Sequence, residues 1–157
     1  MTKYDVGYIQ RTRDYYRAQG YTTDYQWAHY QETPFTGLTR PLAESRIAII
    51  STAMPSDQVA KKLRTVVSAP VEPPPQSLFT DDLSWDKENT HTDDLPSFLP
   101  IEQLTQLARE KVIGELAPRF HCVPTEYSKR NTIETDAPEI LRRCQQDKVD
   151  LALLVPL

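Results

Sequence analysis

Three groups of side chains in this 157-residue sequence are of types that can do chemistry. The acidic stretch TDDLSWDKENTHTDDLP holds Asp81, Asp82, Asp86, Glu88, His91, Asp93 and Asp94, which as oxygen and imidazole donors could take a divalent cation. The spacing His-x-Asp-Asp matches no ligand pattern with a mechanism behind it, so a loop of solvated charge is the commoner explanation and no metal site is assigned. Arg119, His121 and Cys122 form a second group, beside an apolar run. They could hold an anion or position a thiol, although ordinary salt bridges at a strand entrance explain them more often. The third group, Ser51 and Thr52, closes the apolar run Ile47–Ile50 and falls where α/β proteins place ligands, beyond the carboxyl end of a strand.

Other chemistries lack support. Gly7, Gly20, Gly37 and Gly114 are isolated from one another, so no phosphate-cradling GxGxxG or Walker loop can be written. No Ser-His-Asp or Cys-His arrangement can be defended from spacing, because such groups meet only in space.

The elements that must position these groups are legible in outline. Asp5 to Gln19 has helical character closed by Gly20, with Tyr4, Tyr8 and Tyr15 able to share one face; packing is the commoner reading of such a stripe, a cofactor platform the rarer. Residues 1–40 form a Tyr-rich helical and extended segment, since the prolines after Glu32 forbid a continuing helix. Ile47, Ala48, Ile49 and Ile50 predict a strand buried on both faces. Four prolines between Ala69 and Ser77 predict a long surface loop, which with the acidic stretch makes residues 69–97 one loop region.

A helix from Ile101 to about Val112 would turn Ile101, Leu104, Leu107, Ala108 and Lys111 to one side, with Gly114 as its stop. RFHCVPTEY follows as a short strand. The last helix starts at Asp136 as N-cap, with Pro138 in the first turn and Glu139 three residues after the cap; Ile140, Leu141 and Cys144 form its buried side. The closing KVDLALLVPL reads as a buried strand. The resulting order of strands and helices predicts a small three-layer α/β domain with a mainly parallel sheet and right-handed crossovers, incomplete at its C-terminus because a parallel strand needs cover on both faces.

Composition narrows the function. A chain this long suits one domain. With 18 basic and 22 acidic side chains the net charge is −4, and no basic stripe interleaves with aromatics, so nucleic acid is not an expected partner. No apolar run approaches the ~18 residues of a membrane helix, and the N-terminus lacks a secretory signal, so a cytoplasmic protein without membrane contact is expected. Cys122 and Cys144 suit neither a disulfide framework nor a zinc pair; Cys144 reads as a small core residue.

Four stretches together carry a resemblance: YYRAQGY with PFTGLTRPLAESRIAIISTA, then HTDDLPSFLPIEQL, VIGELAPR and VDLALLVPL. They resemble the selenoprotein B family of the glycine, sarcosine, betaine and D-proline reductases over nearly the whole chain. Pro41-Leu42-x-Glu44-Ser45-Arg46 and Ile113-Gly114-Glu115-Leu116-Ala117-Pro118 are specific in combination, and neither is catalytic.

The resemblance implies that the strand LALLVPL runs directly into a motif bearing selenocysteine, or cysteine in some members, so the nucleophile is expected just after Leu157. A selenocysteine codon read as stop would account for its absence here; a genuine short product or a deliberately shortened chain is the alternative. The selenolate of the larger reductases attacks a carbon whose amine a pyruvoyl group on a partner subunit has activated, and a thiol donor regenerates the enzyme. By the same resemblance His91 and Asp94 are candidates for substrate polarisation or proton transfer. Ser51, Thr52, Arg119 and His121 are candidates for substrate binding.

The sequence departs from the family in having His91 alone where many members have paired histidines, and in its Pro-rich insertion after Ala69. The leading expectation is therefore a reductase-like subunit, inactive as 157 residues, with no cofactor of its own, a small-molecule substrate, a partner reductase subunit and a thiol electron donor. The rival is a non-catalytic binding or assembly module of a larger complex, and self-association is compatible with either.

Overall fold

The computed structural model describes residues 7–24, 26, 29–33, 36–56, 64–83, 86–125 and 128–157. The chain divides into two units, Met1–Phe35 and Thr36–Leu157.

The first unit is built on helix α1 (Tyr8–Ala18). Gly20, with φ of +88°, turns the chain out of the helix in the left-handed conformation expected of it. Arg17 holds Asp24 through two hydrogen bonds, of 2.9 and 2.5 Å, and so ties the segment after the turn back to the helix. Among the described residues the packing expected of the tyrosine stripe is not found. Helix α1 buries no residue, Tyr8 and Tyr15 remain exposed, and Tyr4 lies outside the described residues. The aromatic contacts run instead from Tyr15 to Tyr16 and from Tyr16 to Tyr21, edge-on at 5.6 and 5.5 Å between ring centres.

The second unit is the expected three-layer α/β domain, with five strands: β1 (Arg46–Ser51), β2 (Val67–Pro70), β3 (Glu115–Leu116), β4 (Arg119–Cys122) and β5 (Leu151–Val155). Strand β1 is parallel to β3, β4 and β5, and β2 is antiparallel to β4. Ile47 is partnered by both Leu116 and Leu151, and Ile50 by both His121 and Leu154. Strand β5 therefore runs along one side of β1, while β3 and β4 share the other as two pieces of one strand interrupted at Ala117–Pro118.

Side chains alternate across β1. Ile47 and Ile49 pack with Ile101 and Leu104 of helix α2 (Ile101–Arg109), together with Met54, Leu99, Ile113, Phe120 and Cys122. Ala48 faces the other way, against Cys144 and Ile140 of helix α3 (Ala137–Gln146). A strand serving two cores must be apolar on both faces, which is why its sequence is unbroken rather than alternating.

Several local expectations are corrected. Helix α2 ends at Arg109 rather than near Val112, and the left-handed residue that ends it is Lys111, with φ of +60°, not Gly114. The Val112 N–H then bonds back to the Leu107 carbonyl at 2.9 Å. Gly114 is needed for a different reason. A Cβ there would lie 2.6–2.7 Å from backbone atoms of Glu44 and Ser45, where the Gly114 N–H donates to the carbonyls of Leu42 and Ser45.

The start of α3 also differs. Asp136 makes no side-chain cap; it lies in helical backbone at the end of a π-helical turn, Thr132–Asp136, and its carboxylate pairs with Arg64 at 3.2 Å. Capping occurs earlier, at Ser128, whose Oγ accepts the Asn131 N–H. Cys144 is buried and Ile140 half-buried, but Leu141 is exposed. The loop expected from Ala69 begins two residues later, because β2 runs to Pro70; it lies at the sheet edge, where proline is tolerated. Strand β5, finally, is not buried: Leu151–Leu154 are exposed, Leu154 by 67%.

Candidate functional site

The carboxyl ends of β1 and β5 are clasped together. Leu157 N–H donates to Thr52 Oγ1 at 2.9 Å, and that hydroxyl lies 3.4 Å from the Leu157 carbonyl oxygen. Below them Val155 and Leu157 pack on a small core of Ala53, Leu83 and Phe98. Ser51 is fully buried, and its Oγ accepts the Ala53 N–H at 3.2 Å, so it shapes the turn leaving β1 and does not meet solvent. At the opposite ends of the same two strands Asp150 performs an equivalent task. Its carboxylate accepts the Arg46 N–H at 2.9 Å and pairs with Arg40 at 3.3 Å.

Beyond the end of β1 the chain meets the acidic loop. Met54 and Phe79 exchange both backbone hydrogen bonds, at 3.1 and 2.7 Å, which fixes the residue 76–81 segment against the exit of the strand. An open cleft of about 790 Å³ results, lined by Ser56, Ser77, Thr80, Asp81, Thr92 and Asp93 among others. The hydroxyls of Thr80 and Thr92 bond across its two walls at 2.8 Å. Hydroxyls with two carboxylates make a lining suited to a small cationic or polyhydroxyl ligand. His91 and Asp94 flank this lining in sequence. His91 is exposed and its Nδ1 accepts the Asp93 N–H at 3.3 Å, while Asp94 is exposed and its carbonyl accepts from Ser97. Among the described residues no three His, Cys, Asp or Glu side chains are placed to share an ion.

Arg119, His121 and Cys122 do not form one group. Arg119 is spent on α3, donating from Nε to Asp147 at 2.6 Å and from Nη2 to Gln146 at 3.3 Å. His121 and Cys122 are adjacent on β4, so their side chains leave opposite faces of the sheet, and both are fully buried. Burial pushes the Cys122 thiol up to about 12, leaving almost no thiolate at neutral pH. Accordingly, native protein treated with a thiol reagent at pH 7.5 should show Cys122 unmodified until denaturant is added, as read by peptide mass spectrometry; rapid labelling of native Cys122 would contradict this.

What surrounds His121 was not legible in the sequence. Glu139 of α3 binds Arg142 and Arg143, and these bonds hold its carboxyl down at about 2. Arg143 Nη1 in turn donates to Ser68 Oγ of β2 at 2.7 Å, and that oxygen lies 2.8 Å from His121 Nδ1. Ser68 Oγ, which accepts from Arg143, can either donate to Nδ1 or accept from it, so the direction of that bond follows the His121 tautomer. Among the described residues, buried His121 Nε2 has no hydrogen-bond partner. The helical spacing of Glu139 and Arg143 was a readable signal; Ser68 gave none, because only the register of β2 on β4 brings it opposite His121.

No family model, no curated protein and no solved structure matches this chain. No helix among the described residues is long and apolar enough to cross a membrane.

Proposed function

We propose that the chain is the scaffold of a reductase-like subunit of the selenoprotein B type, its nucleophile carried on the residues that follow Leu157. The observation that carries this reading is the clasp of Leu157 on Thr52, since it delivers whatever is joined to Leu157 to the shared carboxyl end of two neighbouring parallel strands. The sequence resemblance supplies the reaction. A C–N bond of a small amine is replaced by C–H, and two donor thiols are oxidised to one disulfide for each amine released.

In this reading the cleft with Asp81 and Asp93 receives the cationic substrate, and His91 and Asp94, which flank its lining in sequence, handle protons. Thr52 orients the strand end, while Arg119 and His121 serve α3 and the sheet rather than the substrate. The test compares the 157-residue chain with one extended by its natural downstream codons, or by a single cysteine, in a thiol-dependent reductive assay with small amines. Reduction only by the extended chain is expected; equal rates from both would overturn the reading.

A non-catalytic assembly module is the second reading. It is favoured by the exposure of β5 and by a helix α1 that buries none of its residues.

A further inference from the structure

Strand β5 is bonded to β1 from Leu151 to Val155, and among the described residues no strand pairs with its other edge. The sheet's opposite edge, β2, ends in Pro70 and runs into Val71, Glu72 and three further prolines, which blunt it against pairing. Strand β5 has no such protection. From Leu151 to Val155 it carries no charge, no proline and no bulge, with Leu153 38% and Leu154 67% exposed. Beside it a groove of about 490 Å³ separates β5 from α3, lined by Ile140, Leu141, Cys144, Ala152 and Leu154. A bare apolar edge of this kind is a template for another strand.

We propose that the occupant is β5 of a second copy of this chain, paired antiparallel about a two-fold axis through Leu153. This assignment does not depend on the reductase reading. It rests on the fit of the strand to itself. In that register Leu153 meets its own symmetry mate and Leu151 meets Val155, on the face shared with Ile47 and Ile49. On the α3 face the small Ala152 meets the large Leu154, leaving that leucine room toward the groove of the other copy. No like charges are brought together. Asp150, the nearest ionised group, is already engaged by the Arg46 N–H and by Arg40. Because the same patch serves both copies, the pairing closes at two, whereas β5 on the blunted β2 edge of a neighbour would propagate.

The experiment is sedimentation equilibrium of the 157-residue chain across a concentration series, with hydrogen exchange read on peptides spanning 151–155. A reversible dimer whose β5 amides gain protection on association is expected. Leu153→Lys sets two ammonium groups face to face on the axis and should weaken association at least tenfold, and Leu153→Asp should do the same. Mixing the two variants should restore a heterodimer, which misfolded chains would not do. A monomer at every concentration overturns the proposal, whether β5 is then protected or exchanges freely. So does a dimer indifferent to both variants, or growth into larger polymers.

Discussion

Replacing Gly114 by alanine should cost the 36–157 unit about 3 kcal/mol or more, although the new side chain is a single methyl group and the backbone there needs no special conformation. The methyl carbon would sit 2.6 Å from the Glu44 carbonyl carbon and 2.7 Å from the Ser45 nitrogen and oxygen, well inside contact distance. These are backbone atoms, unable to swing aside as the end of a lysine could. Relief requires moving residues 42–45 away from 114–115, and that junction holds three hydrogen bonds: Gly114 N–H to the carbonyls of Leu42 and Ser45, and Glu115 N–H to Ser45. The strain of overpacking, ~1–3 kcal/mol, then adds to hydrogen bonds worth about 1 kcal/mol each. Urea unfolding should show the midpoint falling with little change in slope. Gly37→Ala is the control, since nothing lies within 4 Å of a Cβ there, and it should leave stability within about 0.5 kcal/mol. Equal midpoints for the two variants would contradict the packing argument.

That glycine shows which parts of the fold were readable. The doubly buried β1, the amphipathic α2 and α3 and the parallel arrangement follow from patterns within single segments, and all are present. Gly114 reads locally as a helix stop, because a nearby glycine is the commonest way to leave a helix; its real constraint comes from residues about seventy positions earlier, which no local pattern records. Asp136 resembles a cap for a similar reason. Asp-Ala-Pro-Glu is a sound start signal, but Ser128 had already begun the helical run, and one π turn carries the chain through Asp136 without a break. The apolar content of β5 predicts burial that the strand does not have. Composition reports what a strand could bury, whereas exposure depends on which neighbours are there to cover it.

The same distinction governs the candidate site. Ser51 and Thr52 are legible as the end of a strand, yet only Thr52, just past β1, contacts the clasp, because the Ser51 hydroxyl is taken by the Ala53 N–H. His91 and Asp94 are exposed, as a polar loop implies. Arg119 and His121 looked like ligand-binding groups from their chemistry alone. Their partners, Asp147 and Gln146 for one and Ser68 with Arg143 for the other, reveal them as the polar fastening of α3 to the sheet.

That fastening should make the domain sensitive to acid in a particular window. Burial first, and then the neighbouring Arg119 and Arg143, lower the His121 pKa below its ordinary 6.5, while Asp147 and Glu139 oppose the shift without reversing it. Doubly protonated, His121 can only donate from Nδ1 to Ser68 Oγ, an oxygen that Arg143 already donates to, so the Ser68 hydroxyl can no longer use Nδ1 as an acceptor. The unfolded chain binds this proton more readily than the folded one. Stability is therefore complete above pH 6.5 and declines as pH falls toward the depressed folded value, with a slope of at most about 1.4 kcal/mol per pH unit, the limit for one group. Glu139 cannot produce this window, since its carboxyl, held at about 2, titrates only in stronger acid. His121→Gln, which offers Ser68 an acceptor but no titration, should be less stable at pH 7.5 and should lose most of the slope between pH 6.5 and 5. Chemical denaturation at half-unit intervals measures both. An unchanged slope in the variant would assign the acid sensitivity to other groups and remove His121 from the account.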